Sequence, residues 1–142
     1  MKVLFDTNLV LDLLLDREPF VETVAQIFSK VERGDLMGCL CTTTITTIYY
    51  LASKAVGVKK ARVEIQKLLT LFEIAPVNRS VLQASLKSEF ADFEDGVIHE
   101  AACFVEANGI VTRDGKGFKG SRVLIYSPRE LLQALSQKEG EA

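Results

Sequence analysis

Short apolar runs alternate along this chain with segments whose apolar residues recur three and four positions apart. Residues 2–5 form a short apolar run ended by Asp6, the pattern of a central strand. Residues 9–15 are apolar enough for a short helix, which 16–19 break. Phe20, Val24, Ile27, Phe28 and Val31 fall at helical spacing, and Gly34 ends that helix. A second strand is expected over 36–41. Thr42 to Thr44 then offer capping hydroxyls to a helix with the apolar stripe Ile45, Ile48, Tyr49 and Ala52, closed by Gly57. Ala61, Ile65, Leu68 and Phe72 are again helical, and a short strand over 72–75 stops at Pro76. Residues 81–86 read as a helix, and Asp92 begins another that holds Ile98, Ala101, Ala102 and Val105, with Gly109 after its end. A strand over 110–112, a glycine-rich basic loop over 113–120 and a last strand over 123–126 follow. Ser127-Pro128 caps a final helix with proline in its first turn. Residues 137–142 read as a frayed polar tail.

Strands that alternate with helices predict a mostly parallel sheet covered on both faces. In such sheets, sites form beyond the carboxyl ends of the strands. The 142 residues fit one domain, taken as 1–136, and a composition 48% apolar and 25% charged is that of an ordinary globular protein. No apolar run is long enough to span a bilayer, and MKVLFDTN lacks the form of a signal peptide, so a cytoplasmic protein without a membrane partner is expected. Cys39, Cys41 and Cys103 are odd in number and form no CxxC pair. They are expected to be buried free thiols rather than a zinc site. The net charge of -2 does not announce a nucleic-acid binder, although a carboxylate site filled with divalent metal reverses its local sign.

The acids stand where the sheet rule directs attention. Asp6 ends the first strand, Asp114 lies just past the strand over 110–112, and Asp92, Glu94 and Asp95 open a helix in FADFEDG. Carboxylates brought together repel, and each is pushed toward protonation. A divalent cation removes that conflict. Mg²⁺ and Mn²⁺ favour oxygen ligands, and such an ion can activate water and neutralise a phosphate under attack. The cluster therefore suggests phosphodiester hydrolysis. Plainer roles are also open: Asp6 as the cap of the segment after it, Asp92 as a helix cap with Asp95 as its capping-box partner, Glu94 as a solvated acid at a helix start, and Asp114 as a turn residue.

His99, the one histidine, stands four residues after Asp95 and could approach the acids, but a lone helical histidine is more often a partly exposed surface residue. There is no HExxH and no nucleophile elbow, and GKGFKG lacks the strand-helix context of a phosphate loop. Arg113, Lys116, Lys119 and Arg122 surround Asp114 and could hold RNA phosphates or merely face water. Lys59, Lys60 and Arg62 read as the wet face of a helix.

These residues carry a resemblance. FDTNLVLDLLLDR resembles the opening motif of PIN domains, an Asp-Thr-Asn at the end of the first strand. FEDGVIHEAA is similar to the family's acidic helix start, and IVTRDGKGF to its strand-ending TRD with Phe118 four residues beyond Asp114. The three occur in order over nearly the whole chain. The resemblance implies a flavodoxin-like three-layer α/β/α sandwich, usually homodimeric, that cuts RNA with Mg²⁺ or Mn²⁺. Many such proteins are VapC-type toxins held inactive by a small antitoxin protein. It also implies that Asp6, Asp95 and Asp114 are metal ligands, held in place by hydrogen bonds from Asn8 and Thr112.

One position departs from the family. Aligning TTITTIYYL with the helix that usually carries a further acid places Thr47 there, and a hydroxyl cannot supply a carboxylate's charge. Metal affinity should fall unless Asp92 or Glu94 substitutes. The alternative function is thus a catalytically weakened PIN-fold module that binds RNA or a partner. A phospho-acceptor signalling domain is a more distant alternative. It would want paired acids after the first strand and an acceptor Asp after a middle strand, where this chain has only Asp6 and then Pro76.

Overall fold

The computed structural model describes residues 1–141. Its first strand, β1 (Lys2–Phe5), is buried along most of its length because helices cover it on both sides. The chain then runs through α1 (Thr7–Leu14), α2 (Val21–Glu32), β2 (Met37–Cys41), α3 (Thr42–Val56), α4 (Val58–Leu71) and β3 (Glu73–Ala75). After α5 (Arg79–Lys87) and α6 (Phe93–Phe104) come β4 (Gly109–Val111), a 3₁₀ turn at Gly115–Phe118, β5 (Leu124–Tyr126) and α7 (Pro128–Glu141). All strand pairs are parallel, in the order β3-β2-β1-β4-β5. This is the expected three-layer α/β/α sandwich. Its likeness to flavodoxin is one of architecture, since the strand order is not flavodoxin's 2-1-3-4-5.

Alternation along β1 divides the core. Val3 and Phe5 face a cluster with Val24, Ile27 and Phe28 of α2, Ile48 of α3, Leu68 of α4 and Leu131 of α7. Leu4 faces the other way, onto Val81 of α5, Val97, Ile98 and Ala101 of α6, and the thiols of Cys39 and Cys41. Phe5, Phe28 and Phe72 meet edge to face, with centroids 5.1–5.6 Å apart. Each such pair contributes about 1 kcal/mol beyond its buried area.

Most predicted elements lie within a residue or two of the observed ones, and three expectations change. The hydroxyls of Thr42 to Thr44 do not cap α3: Cys41 is its N-cap, no side chain bonds the first turn, and the Thr42 hydroxyl donates to the Ala75 carbonyl at 2.9 Å instead. Gln137 to Glu141, expected as tail, continue α7; Ala142 lies outside the described residues. Cys103 is only half-buried, whereas Cys39 and Cys41 are buried free thiols as expected. Burial pushes the Cys39 thiol up to about 11, with the Glu73 carboxylate adding to the rise and Lys2 opposing it. No helix among the described residues is long and apolar enough to cross a membrane.

The strand order creates the site. From β1 the chain first builds outward through β2 and β3, and then returns to the other side for β4 and β5. The crevice at such a reversal lies outside the carboxyl ends of the two strands that flank it, here β1 and β4. Phe5 is in register with Val111, and the Asp6 N–H donates to the Val111 carbonyl at 3.0 Å. Asp6 and Thr112 therefore leave the sheet side by side.

Candidate metal centre

Asp6 caps α1 and faces the crevice at once. Its Oδ1 accepts the Thr7 N–H at 2.8 Å, and its Oδ2 accepts the Thr112 hydroxyl at 2.8 Å. The Thr112 hydroxyl in turn accepts the Asp114 N–H at 3.0 Å, so one threonine links both acidic strand ends. Thr7 also shares a 2.9 Å hydroxyl contact with Thr44, which ties α1 to α3.

The third acid comes from α6. Asp92 is its N-cap and accepts the Asp95 N–H at 3.1 Å, which satisfies an orphan donor of the first turn. The Asp95 carboxylate is left free to face the cleft. Gly117 lets the loop after β4 close over it: a methyl group there would stand 2.7 Å from Asp95 Oδ2 and 3.7 Å from Asp114 Oδ2. The acids are thus gathered from a strand end, a loop and a helix start.

Asp6, Asn8, Thr47, Asp92, Glu94, Asp95 and Asp114 all line one cleft of about 350 Å³. A larger hollow of about 420 Å³, lined by Val31, Met37 and Glu73 among others, lies at the opposite ends of β2 and β3 and gathers no such acids. Burial pushes Asp6 above its ordinary value, with Asp114 adding to the rise, while the bonds from Thr112 and Thr7 and the charge of Arg113 oppose it. Asp95 is pushed up to about 6, first by burial and then by Asp92, Asp6, Asp114 and Glu94. Among the described residues, none of these five acids makes an ion pair. A cleft of mutually repelling carboxylates that no Lys, Arg or His lines fits a divalent metal bound through oxygen.

The other predicted residues are placed as follows. Asn8 is exposed at the cleft and makes no side-chain hydrogen bond among the described residues, so the bond expected from it is not there. Thr47 lies in the cleft. Arg113 is engaged by Asp12, with Nε donating to Oδ2 at 2.7 Å and Nη2 to Oδ1 at 3.1 Å, and its guanidinium covers the Phe20 ring at 3.9 Å. Arg122 is bound to Glu100 on α6. Lys116 and Lys119 are exposed and make no side-chain hydrogen bond or ion pair among the described residues. The expectation of a partly exposed His99 is corrected: its side chain is buried against Phe90 and does not line the acid cleft, because α6 is covered on nearly all sides.

Sequence reasoning gave no role to Gly117 or Asp12. Asp12 is fully buried, and the signal for it was an acid inside an apolar helical run, which requires a cation nearby. For Gly117 there was no signal beyond its place three residues after Asp114.

Comparison with family models matches residues 2–116 to the PIN domain. The chain belongs to the PIN-domain family. Solved structures with the same fold include FitAcB from Neisseria gonorrhoeae, 24% identical with a TM-score of 0.66 over 89% of this chain and 98% of that one. A toxin-antitoxin complex from Klebsiella pneumoniae is 22% identical, with a TM-score of 0.68 over 89% and 97% of the two chains. VapC20 from Mycobacterium tuberculosis, described as a sarcin-ricin loop cleaving toxin, is 11% identical, with a TM-score of 0.64 over 81% and 92%. Comparison with curated protein sequences gives no significant match. At these identities the likeness establishes the fold of this PIN domain.

Proposed function

We propose that this PIN-domain protein is a metal-dependent endoribonuclease that hydrolyses RNA phosphodiester bonds, and that it is the toxin of a toxin-antitoxin pair. The observation that carries this reading is the meeting of Asp6, Asp95 and Asp114 in one cleft that no Lys, Arg or His lines. Asp6, Asp95 and Asp114 would hold Mg²⁺ or Mn²⁺, with Asp92 or Glu94 available at the rim. When bound, such an ion supplies Lewis acidity and a lowered pKa for water at the scissile phosphate. Thr112 fixes the Asp6 carboxylate, the Asp92 cap holds α6 so that Asp95 faces the cleft, and Gly117 lets the Asp114 loop approach. Lys116 and Lys119, exposed in the loop after Asp114, would meet RNA phosphates, with Arg113 and Arg122 already committed to carboxylates. The toxin assignment is supported by neighbours whose structures are toxin-antitoxin complexes. By that analogy one partner is a small antitoxin; the proposal adds a second copy of the chain, from the family resemblance, and the cytoplasm as the compartment.

The test is cleavage of an end-labelled RNA pool in Mg²⁺ and then Mn²⁺ by wild type and Asp95→Asn. Cutting that requires metal and vanishes in the variant supports the proposal. Equal traces from both proteins would mean contamination and count against it. Thr47 in the cleft favours one second reading, a PIN-fold module that binds RNA or a partner without cutting. Folded wild type that binds RNA and cuts none in either metal would select that reading.

A further inference from the structure

A second hollow, of about 230 Å³, shares no lining residue with the acid cleft. Two of the residues that line it, His99 and Glu100, belong with Cys103 on α6. One ligand atom from each of the three lies within 4.8 Å of the other two. Cys103 Sγ is 3.8 Å from His99 Nε2, and Glu100 Oε1 is 3.5 Å from His99 Nδ1. His99 is 2% exposed, and among the described residues its Nδ1 meets only Glu100 Oε1, at 3.5 Å, too loosely for a good hydrogen bond. A buried ring nitrogen held this loosely calls for an explanation such as a bound ion.

Arg122 shows that a cation is already accommodated here. Its Nη2 donates to Glu100 Oε2 at 2.6 Å and to Cys103 Sγ at 3.4 Å, and its backbone N–H donates to His99 Nε2 at 3.1 Å. Its side chain is 65% exposed, so the guanidinium can turn into water once another cation balances Glu100. The donor set is nitrogen, oxygen and sulfur. That chemistry selects a borderline ion such as Zn²⁺, in contrast to the all-oxygen acid cleft.

We propose that His99, Glu100 and Cys103 form a binding site for a transition-metal cation of the Zn²⁺ class, separate from the acid cleft, with Arg122 holding the cation's place when it is absent. On binding, the thiol gives its proton to solvent and the Arg122 guanidinium moves out. Water entering from the hollow completes the coordination. Arg122 also ends the loop that begins at Asp114, so an ion here competes for one of the ties that hold this loop to α6.

The test uses Co²⁺, whose bond to a thiolate gives a strong near-ultraviolet charge-transfer absorption. The full-length protein is titrated as wild type, Asp95→Asn, Cys103→Ser and Arg122→Ala, with circular dichroism to confirm that each is folded. The proposal expects the thiolate band in wild type and in Asp95→Asn, its loss in Cys103→Ser, and displacement of Co²⁺ by Zn²⁺. It also expects Arg122→Ala to bind about tenfold more tightly, because a competing positive charge has been removed. No thiolate band in wild type, a band that persists in Cys103→Ser, or unchanged affinity in Arg122→Ala would overturn it. The Asp95→Asn arm keeps the outcome independent of the nuclease reading.

Discussion

Removing the Asp95 carboxylate should stabilise the metal-free protein at neutral pH. Its pKa is raised in the fold from 3.8 to about 6, by burial first and then by the neighbouring acids. Between those values the folded chain holds more protons than the unfolded one, so stability falls as pH rises through this window and stays lowered above it. The rise corresponds nominally to about 3 kcal/mol at neutral pH. The cleft opens to water, and solvent screening reduces this to about 1–1.5 kcal/mol. An acid in the first turn of α6 also interacts favourably with the helix dipole, and its loss returns about 0.3–0.5 kcal/mol. Asp95→Asn should therefore gain about 0.5–1 kcal/mol at pH 7.5 in EDTA, seen as a urea midpoint higher by about 0.3–0.5 M. At pH 4 the gain should vanish. In Mn²⁺ at a hundredfold excess over its dissociation constant, wild type gains about 2.7 kcal/mol that the variant forgoes, and the order reverses. Urea unfolding under the three conditions checks each step. A variant less stable than wild type at pH 7.5 in EDTA, or an offset independent of pH, would refute the reasoning.

Three further substitutions probe the frame around the acids. Gly117→Ala places a methyl 2.7 Å from Asp95 Oδ2, so Mn²⁺ affinity by calorimetry should fall about tenfold while the urea midpoint hardly moves, a typical cost for a displaced metal ligand. Arg113→Ala leaves fully buried Asp12 with Arg17, at 3.7 Å, as its one cation among the described residues, so unfolding in urea should show a loss of about 2–4 kcal/mol, a stability effect separate from any on RNA binding. Thr47→Glu returns an acid to the cleft; Mn²⁺ affinity should rise about tenfold and stability in EDTA should fall by about 1 kcal/mol, as expected when a further like charge joins the cluster.

How much of this was legible in the sequence follows from the range of each interaction. The strands and helices could be read because their signal is local, an apolar run or an apolar stripe with a cap beside it. Asp6, Asp95 and Asp114 could be gathered in advance because each stands at the end or start of an element, and a doubly wound sheet brings those points to one crevice. Arg113 shows where that reasoning stops. Its charge was visible, but its partner Asp12 stands 101 residues away, so the sequence left it between a phosphate contact and a solvated loop where the fold makes a part-buried pair. His99 was misread for a related reason. Gly96, Ala101 and Ala102 let the sheet and α5 approach α6 closely, so the helix has no broad wet face on which a histidine could lie. What stayed hidden are the contacts between distant segments: the Asp12–Arg113 pair, the fit of Gly117 against Asp95, and the tie from Arg122 to His99 and Glu100. All three fix the loop that carries Asp114. Motif positions thus state which acids meet, whereas the rigidity of their meeting depends on contacts that only the folded chain creates.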